Sequence, residues 1–338
     1  MKGPVPMSAL ALLLTAALPV AAAPVKPGPF TTFGDWAVAC DNANRCTLTT
    51  LDPEGAAPSE VFTVMREAGS PGRWKLWLTA RTDEDPFAIE IGGEQVGGAF
   101  RATPDGATIE GSTARAVAAA LPGARRIAVI DGTGRELARI SSDGLDDALR
   151  YMDTVQGRAG TVTAAIARGR KPESAVPAAP VLPIVPVVRP VGHPPVLTQA
   201  RIKALRRRAK CPVARGTVKA QVHSLDHLRN VVLVPCRTTG DNPTEAVFLL
   251  DKGVAKPARL DATPGLGGWT RVPRVTNGSY ANGSLYSYAR KARDGDCGVS
   301  QHFLWDGTLF RLIEQAQMDV CRGNTTFLNT WRVRLRIK

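Results

Sequence analysis

Residues 171–197 read KPESAVPAAPVLPIVPVVRPVGHPPVL, eight prolines in 27 positions with scarcely a residue able to start a helix. Each proline fixes φ at about −65° and lacks an N–H, so the stretch cannot continue a helix and favours extended, polyproline-II backbone. It therefore divides the chain into a linker with a unit on each side. Its Val, Leu and Ile content is high for a free linker and predicts that part of it lies against one of those units. At 338 residues the chain is long enough for each side to bury a core of its own.

The first residues, MKGPVPMSALALLLTAALPVAAAP, carry one positive charge at Lys2, then an apolar run over residues 9–20, then small residues. That is the make-up of a secretory signal peptide, with cleavage expected after Ala22 because Pro24 disfavours a cut after Ala23. The run falls short of the ~20 apolar residues that span a bilayer. No cysteine follows it that would make a lipoprotein, and no later segment is long and apolar enough to span. The expected organisation is a signal peptide over 1–22, a first domain over 23–170, the linker over 171–197 and a second domain over 198–338. The expected location is the periplasm or the cell exterior. In such an oxidising compartment an even number of cysteines, here six, favours disulfides over zinc or thiol chemistry.

The net charge of +13 is unevenly distributed. Residues 23–170 hold 16 basic and 19 acidic side chains, whereas residues 171–338 hold 26 basic and 11 acidic. A net +15 confined to one half suits an anionic surface, or else a solvated basic face that favours solubility.

In the first half, FGDWAVAC, CTLTTL, VFTVMRE and RWKLWLTA are short β-branched and aromatic runs between Asn, Asp, Pro and Gly clusters, and they read as strands. RRIAVIDGTGRELARIS reads as a hairpin with Asp131 and Gly132 at positive φ. STARAVAAALP predicts a helix opened by Ser112 or Thr113, and SSDGLDDALRYMDTVQG a second with Leu145, Leu149 and Met152 on one face. The first domain is thus α+β, an antiparallel sheet with helices. In the second half TQARIKALRRRAKC predicts a helix capped by Thr198, with a narrow apolar stripe of Ile202, Leu205 and Ala209. Alternating runs follow, ending in WRVRLRIK, where Trp331, Val333, Leu335 and Ile337 share one face as in a half-buried strand. This domain is mostly antiparallel β with one N-terminal helix.

FGDWAVACDNANRC, then MDTVQGRAGTVTA at residues 152–164, the proline-rich joint, LVPC, GDCG, WDG and CRG follow one another in an order that resembles the DUF1176 family. The resemblance covers nearly the whole mature chain. It implies a periplasmic or secreted protein of a Gram-negative bacterium and supplies no reaction and no catalytic residues. The chain departs from the family pattern at Trp331, which Arg332 follows where a proline is expected. The first half is also loosely similar to invasion-associated locus B proteins, which implies a virulence-linked interaction protein as one alternative.

The linker isolates Cys40 and Cys46 from the other four cysteines, which favours their pairing. Of the three pairings open to the rest, Cys211 with Cys236 and Cys297 with Cys321 is expected. Five residues between Cys40 and Cys46 do not suit redox catalysis, and the first half has no histidine to complete a zinc site. His223 and His227, in HSLDH, lie between strand-like runs and read as a hairpin turn, without the Glu that the metalloprotease signature places after its first His. Ser279 and Ser284 lack a nucleophile elbow. The glycines of IGGEQVGG and DGTG lack a phosphate-loop context, and Asp83, Glu84 and Asp85 read as a solvated turn. No cofactor is expected, and no nucleic-acid module is present.

The remaining candidates are cationic and aromatic. Arg201, Arg206, Arg207 and Arg208 line the basic helix, while Tyr280, Tyr286 and Tyr288 precede Arg290, Lys291 and Arg293 in an Asn-, Gly- and Ser-rich segment of the kind adaptable binding surfaces use. The expectation is a non-enzymatic protein whose basic second domain binds an anionic envelope polymer, lipid or acidic protein. The alternative from another class is a hydrolase-like enzyme with a site between the domains.

Overall fold

The computed structural model describes residues 24–52, 61–79, 87–101, 106–213 and 216–337. The expected signal peptide, the run Asp83, Glu84 and Asp85, and Lys338 lie outside the described residues. Within them the chain is mostly β, in open sheets, with three α-helices.

The first half forms strands β1 (Phe30–Phe33), β2 (Trp36–Cys40), β3 (Cys46–Thr50), β4 (Val61–Arg66), β5 (Trp74–Thr79), β6 (Phe87–Ile91), β7 (Glu94–Phe100) and β8 (Ala107–Ile109). Helix α1 (Gly111–Ala120), strands β9 (Ile127–Asp131) and β10 (Glu136–Ile140), and helix α2 (Leu145–Val155) follow. The strands make two antiparallel sheets, ordered β1-β2-β3-β4-β5-β8 and β10-β9-β6-β7. Trp36, Leu48 and Phe62 of the larger sheet, Ile89 and Val129 of the smaller, and Leu145, Leu149 and Met152 of α2 share one buried core. The 3.6-residue period of α2 places those three on one face, and Asp146 and Asp147 sit in its first turn, where the helix dipole favours negative charge.

Two local expectations change. Helix α1 is under way before Ser112: the chain leaves β8 through Gly111 at φ 68°, and neither Ser112 nor Thr113 caps it. In the β9–β10 hairpin the positive φ belongs to Gly134 (85°), not to Asp131 or Gly132. Asp131 acts through its side chain, Oδ1 accepting from the N–H groups of Thr133 at 2.8 Å and Arg135 at 3.0 Å, which closes a longer turn.

In the second half the strands are β11 (Ile184–Val187), β12 (Gln221–Ser224), β13 (Arg229–Arg237), β14 (Thr244–Asp251), β15 (Val254–Pro257), β16 (Arg274–Thr276), β17 (Ser279–Ala281), β18 (Ser284–Arg290), β19 (Gly298–Trp305), β20 (Phe310–Met318), β21 (Leu328–Arg332) and β22 (Arg334–Ile337). Helix α3 (Gln199–Arg208) lies between β11 and β12 and is capped by Thr198, whose hydroxyl accepts from the N–H of Arg201. Sheet β12-β13-β14-β15, with β16 on β14, faces sheet β17-β18-β19-β20-β21. Val231, Leu233 and Val247 meet Leu285, Phe303 and Leu312 between them, while Val232, Val234 and Phe248 turn outward to Ile202 and Leu205 of α3. Successive side chains of a strand point to opposite faces, so a strand covered on both sides reads as the unbroken apolar run of NVVLV.

The last run behaves differently from its pattern. WRVRLRIK breaks at Val333, and β22 pairs in parallel with β11 of the proline-rich segment, Val185 opposite Leu335. Val185 of β11 is buried, but β22 is exposed along its length, with Leu335 and Ile337 at 51% and 59%, so this strand has no buried face. Ile184, Val185 and Val187 of the proline-rich segment therefore serve a strand pairing, whereas Val181 and Val196 stay exposed.

Three disulfides join Cys40 to Cys46, Cys211 to Cys236 and Cys297 to Cys321. Cys40 and Cys46 are directly opposite on β2 and β3. Replacing both by alanine is expected to lower stability by about 2 kcal/mol, the chain-entropy value for so short a loop, as read by urea denaturation of oxidised wild type and variant.

Candidate functional site

The candidate binding residues fall into two groups that the fold separates. Helix α3 covers the outer face of one sheet of the sandwich. On β18, Leu285 points to the interior of the sandwich, so Tyr286, Tyr288 and Arg290 lie on the outer face of the other sheet. The two groups therefore cannot act as one site.

The tyrosine group is largely engaged internally. Tyr280 is buried, its ring stacked on His223 with centroids 5.0 Å apart, and burial pushes its hydroxyl up to about 12. Tyr286 meets His302 edge-on, and the Tyr288 hydroxyl donates to the carbonyl of Gly295. Arg290 lies over the Tyr288 ring, Lys291 pairs with Asp319 at 2.5 Å and Arg293 with Asp241 at 3.9 Å.

On α3 the cations are different. Arg206 is buried and donates to the carbonyls of Pro235 and Pro212, tying the helix to the end of β13. Arg201 and Arg208 reach the carbonyls of Gly253 and Ala255. Lys203, Arg207, Arg208 and Lys210 are exposed, α3 contains no acidic residue, and none of its cations forms an ion pair among the described residues. Its positive charge has no acidic partner among the described residues, and the basic last turn sits at a helix C-terminus whose carbonyls favour cations.

HSLDH forms a hairpin turn between β12 and β13. Asp226 does not converge with the histidines; its carboxylate accepts from the N–H groups of Leu228 and Arg229, both at 2.9 Å, and from the Trp305 indole at 3.1 Å. Burial holds His223 below its ordinary range, favouring the neutral ring. Among the described residues the cluster with metal-ligand proximity is Asp296 with Cys297 and Cys321, and its two sulfurs are joined in a disulfide.

The polar residues that sequence reasoning missed lie where the two halves meet. Arg322 donates from Nε to the Asp52 carbonyl at 2.6 Å and from Nη2 to Asp35 at 2.5 Å. Burial works against the charged carboxylate of Asp35, yet the Arg322 and Ser141 hydrogen bonds outweigh it and keep its pKa below the usual range. Arg332 donates from Nε to Asp41, whose other oxygen holds the N–H groups of Ala43 and Arg45. The Asn42 amide meets both backbone groups of Arg332, donating to its carbonyl at 3.0 Å and accepting from its N–H at 2.9 Å. One side-chain amide thus stands in for a neighbouring strand at the open edge of β21. Ala37 and Ala39 pack against Met318 and Leu328 beside these contacts. Asp35, Asp41, Asn42 and Arg322 come from FGDW, CDNANRC and CRG, and Arg332 from the terminal WRVRLRIK, so these motifs contribute contacts between the halves.

A second buried network surrounds MDTVQGRAG. Asp153 accepts from the N–H groups of Ala165, Ile166 and Ala167 at 2.8, 3.0 and 3.1 Å. Gln156 accepts from Arg158 Nε at 3.0 Å and donates to the Arg66 carbonyl at 2.9 Å. Arg158 also reaches the Gly69 carbonyl, and Gly72 packs so closely on its guanidinium that a Cβ there would lie 1.9 Å from Nη2. The signal available beforehand was the small-residue run AGSPG ahead of Arg73, which lets a large cation lie beneath the backbone.

Among the described residues no helix is long and apolar enough to cross a membrane. The chain is 26% identical to the "Uncharacterized protein YpfG" of Escherichia coli (strain K12), with 86% of this chain and 88% of that protein covered. Among solved structures it is similar to the invasion associated protein B of Bartonella henselae, at 15% identity and a TM-score of 0.29, over 38% of this chain and 99% of that one. Residues 30–338 match the family described as "Protein of unknown function (DUF1176)", and the chain belongs to that family.

Proposed function

We propose that the chain is a non-enzymatic protein of the periplasm or cell exterior that holds an anionic envelope component, lipid headgroups or an anionic polymer, on the outer face of α3. The observation that carries this reading is the cationic face of α3, which has no acidic partner among the described residues, in a half whose net charge is +15. The cationic unit is residues 198–338, set against residues 23–170 and linked to them by residues 171–197. Three disulfides favour an oxidising compartment. The polar groups at the junction of the halves are engaged with one another, so no observation there favours the rival reading of an interdomain enzyme site.

The test is flotation of the mature full-length protein with vesicles of phosphatidylglycerol mixed with phosphatidylcholine. Each cation near an anionic surface contributes about 1 kcal/mol, so replacing Lys203, Arg207 and Lys210 by Gln is expected to weaken binding roughly a hundredfold. Binding of the wild type should fall steeply as salt is raised, since exposed charges are screened within about 10 Å at 0.1 M. Binding that ignores both salt and the triple substitution would end this reading.

A further inference from the structure

A second concave surface lies elsewhere, in the acidic half. An open groove of about 680 Å³ runs between the β4–β5 hairpin, α1 and the loop after Thr161. Its volume is that of a small-molecule site. Although residues 23–170 are net negative, five cations and three carboxylates line this groove.

The carboxylates are already engaged. Glu110 pairs with Lys75 at 2.7 Å, Glu67 with Arg332 at 3.6 Å, and Glu173 accepts from the Ser70 hydroxyl at 2.5 Å. Arg73, Arg115 and Arg168 are exposed on the rim without an ion-pair partner among the described residues. Behind the rim, Arg66 is 3% exposed and Arg158 is fully buried, and the buried carboxylate beside both is Asp153, with its oxygens committed to three backbone N–H groups.

Arg66 shows the imbalance most directly. Its Nη2 donates to the Thr163 carbonyl at 2.6 Å, and its guanidinium lies over the Trp74 ring, 4.4 Å from the centroid. Its Nη1 is buried with no hydrogen-bond acceptor, 3.6 Å from the nearest Asp153 oxygen. Burial, followed by repulsion from Arg158, pulls the Arg66 pKa down to about 9. A buried guanidinium short of acceptors in a wall of surplus positive charge gains from an anion beside it.

Apart from Thr163, the rest of the lining carries no polar side chain. Met65, Trp74, Ala118 and Ala165 contribute to the wall, and Val162 stands 55% exposed within it. A small inorganic anion would leave that surface wet, whereas a ligand with a hydrocarbon body would cover it.

We propose that this groove binds a carboxylate carrying an apolar body, its carboxylate toward Arg66 and the rim arginines and its body along Trp74 and Val162. The site is separate from the α3 face, and its ligand is a small molecule.

Calorimetric titration of the mature full-length protein with octanoate tests this, with acetate and octan-1-ol as the charge-only and body-only probes. Octanoate is expected to bind at one site, and acetate and octan-1-ol more weakly by about tenfold or more. The pair Arg73→Glu and Arg115→Glu, both at exposed positions that leave the fold intact, should weaken octanoate about tenfold, as should Val162→Asp. Arg207→Glu on α3 should leave it unchanged, which separates this site from the surface proposed above. No saturable octanoate binding, equal binding of octanoate and octan-1-ol, or affinity indifferent to the rim and Val162 substitutions would overturn the proposal.

Discussion

Asp153→Ala is expected to lower the stability of the protein by about 3 to 5 kcal/mol, the cost of removing one partner from a buried charged network. The side chain is fully buried, and its loss strips the acceptor from three backbone N–H groups in the 165–167 turn. It also leaves Arg66 and Arg158 in the interior without their shared counter-charge. Asp153→Asn keeps the shape and one acceptor oxygen, so it should cost less, about 1 to 3 kcal/mol. Urea denaturation followed by near-ultraviolet circular dichroism separates these, and the alanine variant should melt on the order of 10 °C lower. A loss below about 1 kcal/mol for Asp153→Ala would mean that the turn and the arginines are held by other contacts.

Asp41→Ala is expected to loosen the junction between the halves at a cost of about 3 kcal/mol. One Asp41 oxygen organises the turn through Ala43 and Arg45, and the other receives Arg332 from 291 positions away. Arg332→Ala removes the second contact together with the Arg332–Glu67 pair and spares the turn, so a larger loss in Asp41→Ala than in Arg332→Ala would mark the contribution of the turn. Both should speed elastase cleavage within residues 171–197, where Ala178, Val181 and Val187 are small apolar residues not followed by proline, while Arg45→Ala should do so less. If cleavage at that segment is as slow in Asp41→Ala as in wild type, the CDNANRC turn is a local clip and not a docking element.

Much of the architecture was legible in residue pattern. Short β-branched and aromatic runs marked β2 to β5, and the runs of the second half marked β12 to β14 and β18 to β20. The spacing of Leu145, Leu149 and Met152 marked α2, and Thr198 marked the start of α3. These signals survive because each depends on backbone geometry and on neighbours a few residues away. WRVRLRIK misled for the same reason: alternation reports that one face differs from the other, but burial requires a layer to cover it, and β22 has none. The DGTG turn and the start of α1 failed at the level of single φ values, which Gly134 and Gly111 take and composition alone does not assign.

The candidate sites were less legible than the fold. Basic residues on α3 could be listed from the chain, but whether a cation is free depends on what reaches it: Arg206 is consumed by two carbonyls, Lys291 by Asp319, whereas Lys203 and Arg207 remain available. The Arg66 groove had no local signature, since its wall draws on a hairpin, a helix and a loop spread over about a hundred residues.

By itself the amino-acid sequence determined the β-rich character, the charge asymmetry and the family, because side-chain period and residue type are properties of the local chain. Only the tertiary structure decided that CDNANRC and CRG make contacts between the halves, that the proline-rich segment supplies a strand, and that two arginines are buried around one aspartate. Such pairings join groups as far as 270 and 291 residues apart. A polar contact has no periodicity of its own, so its partner is chosen by which sheet faces dock and by which charges that docking removes from water.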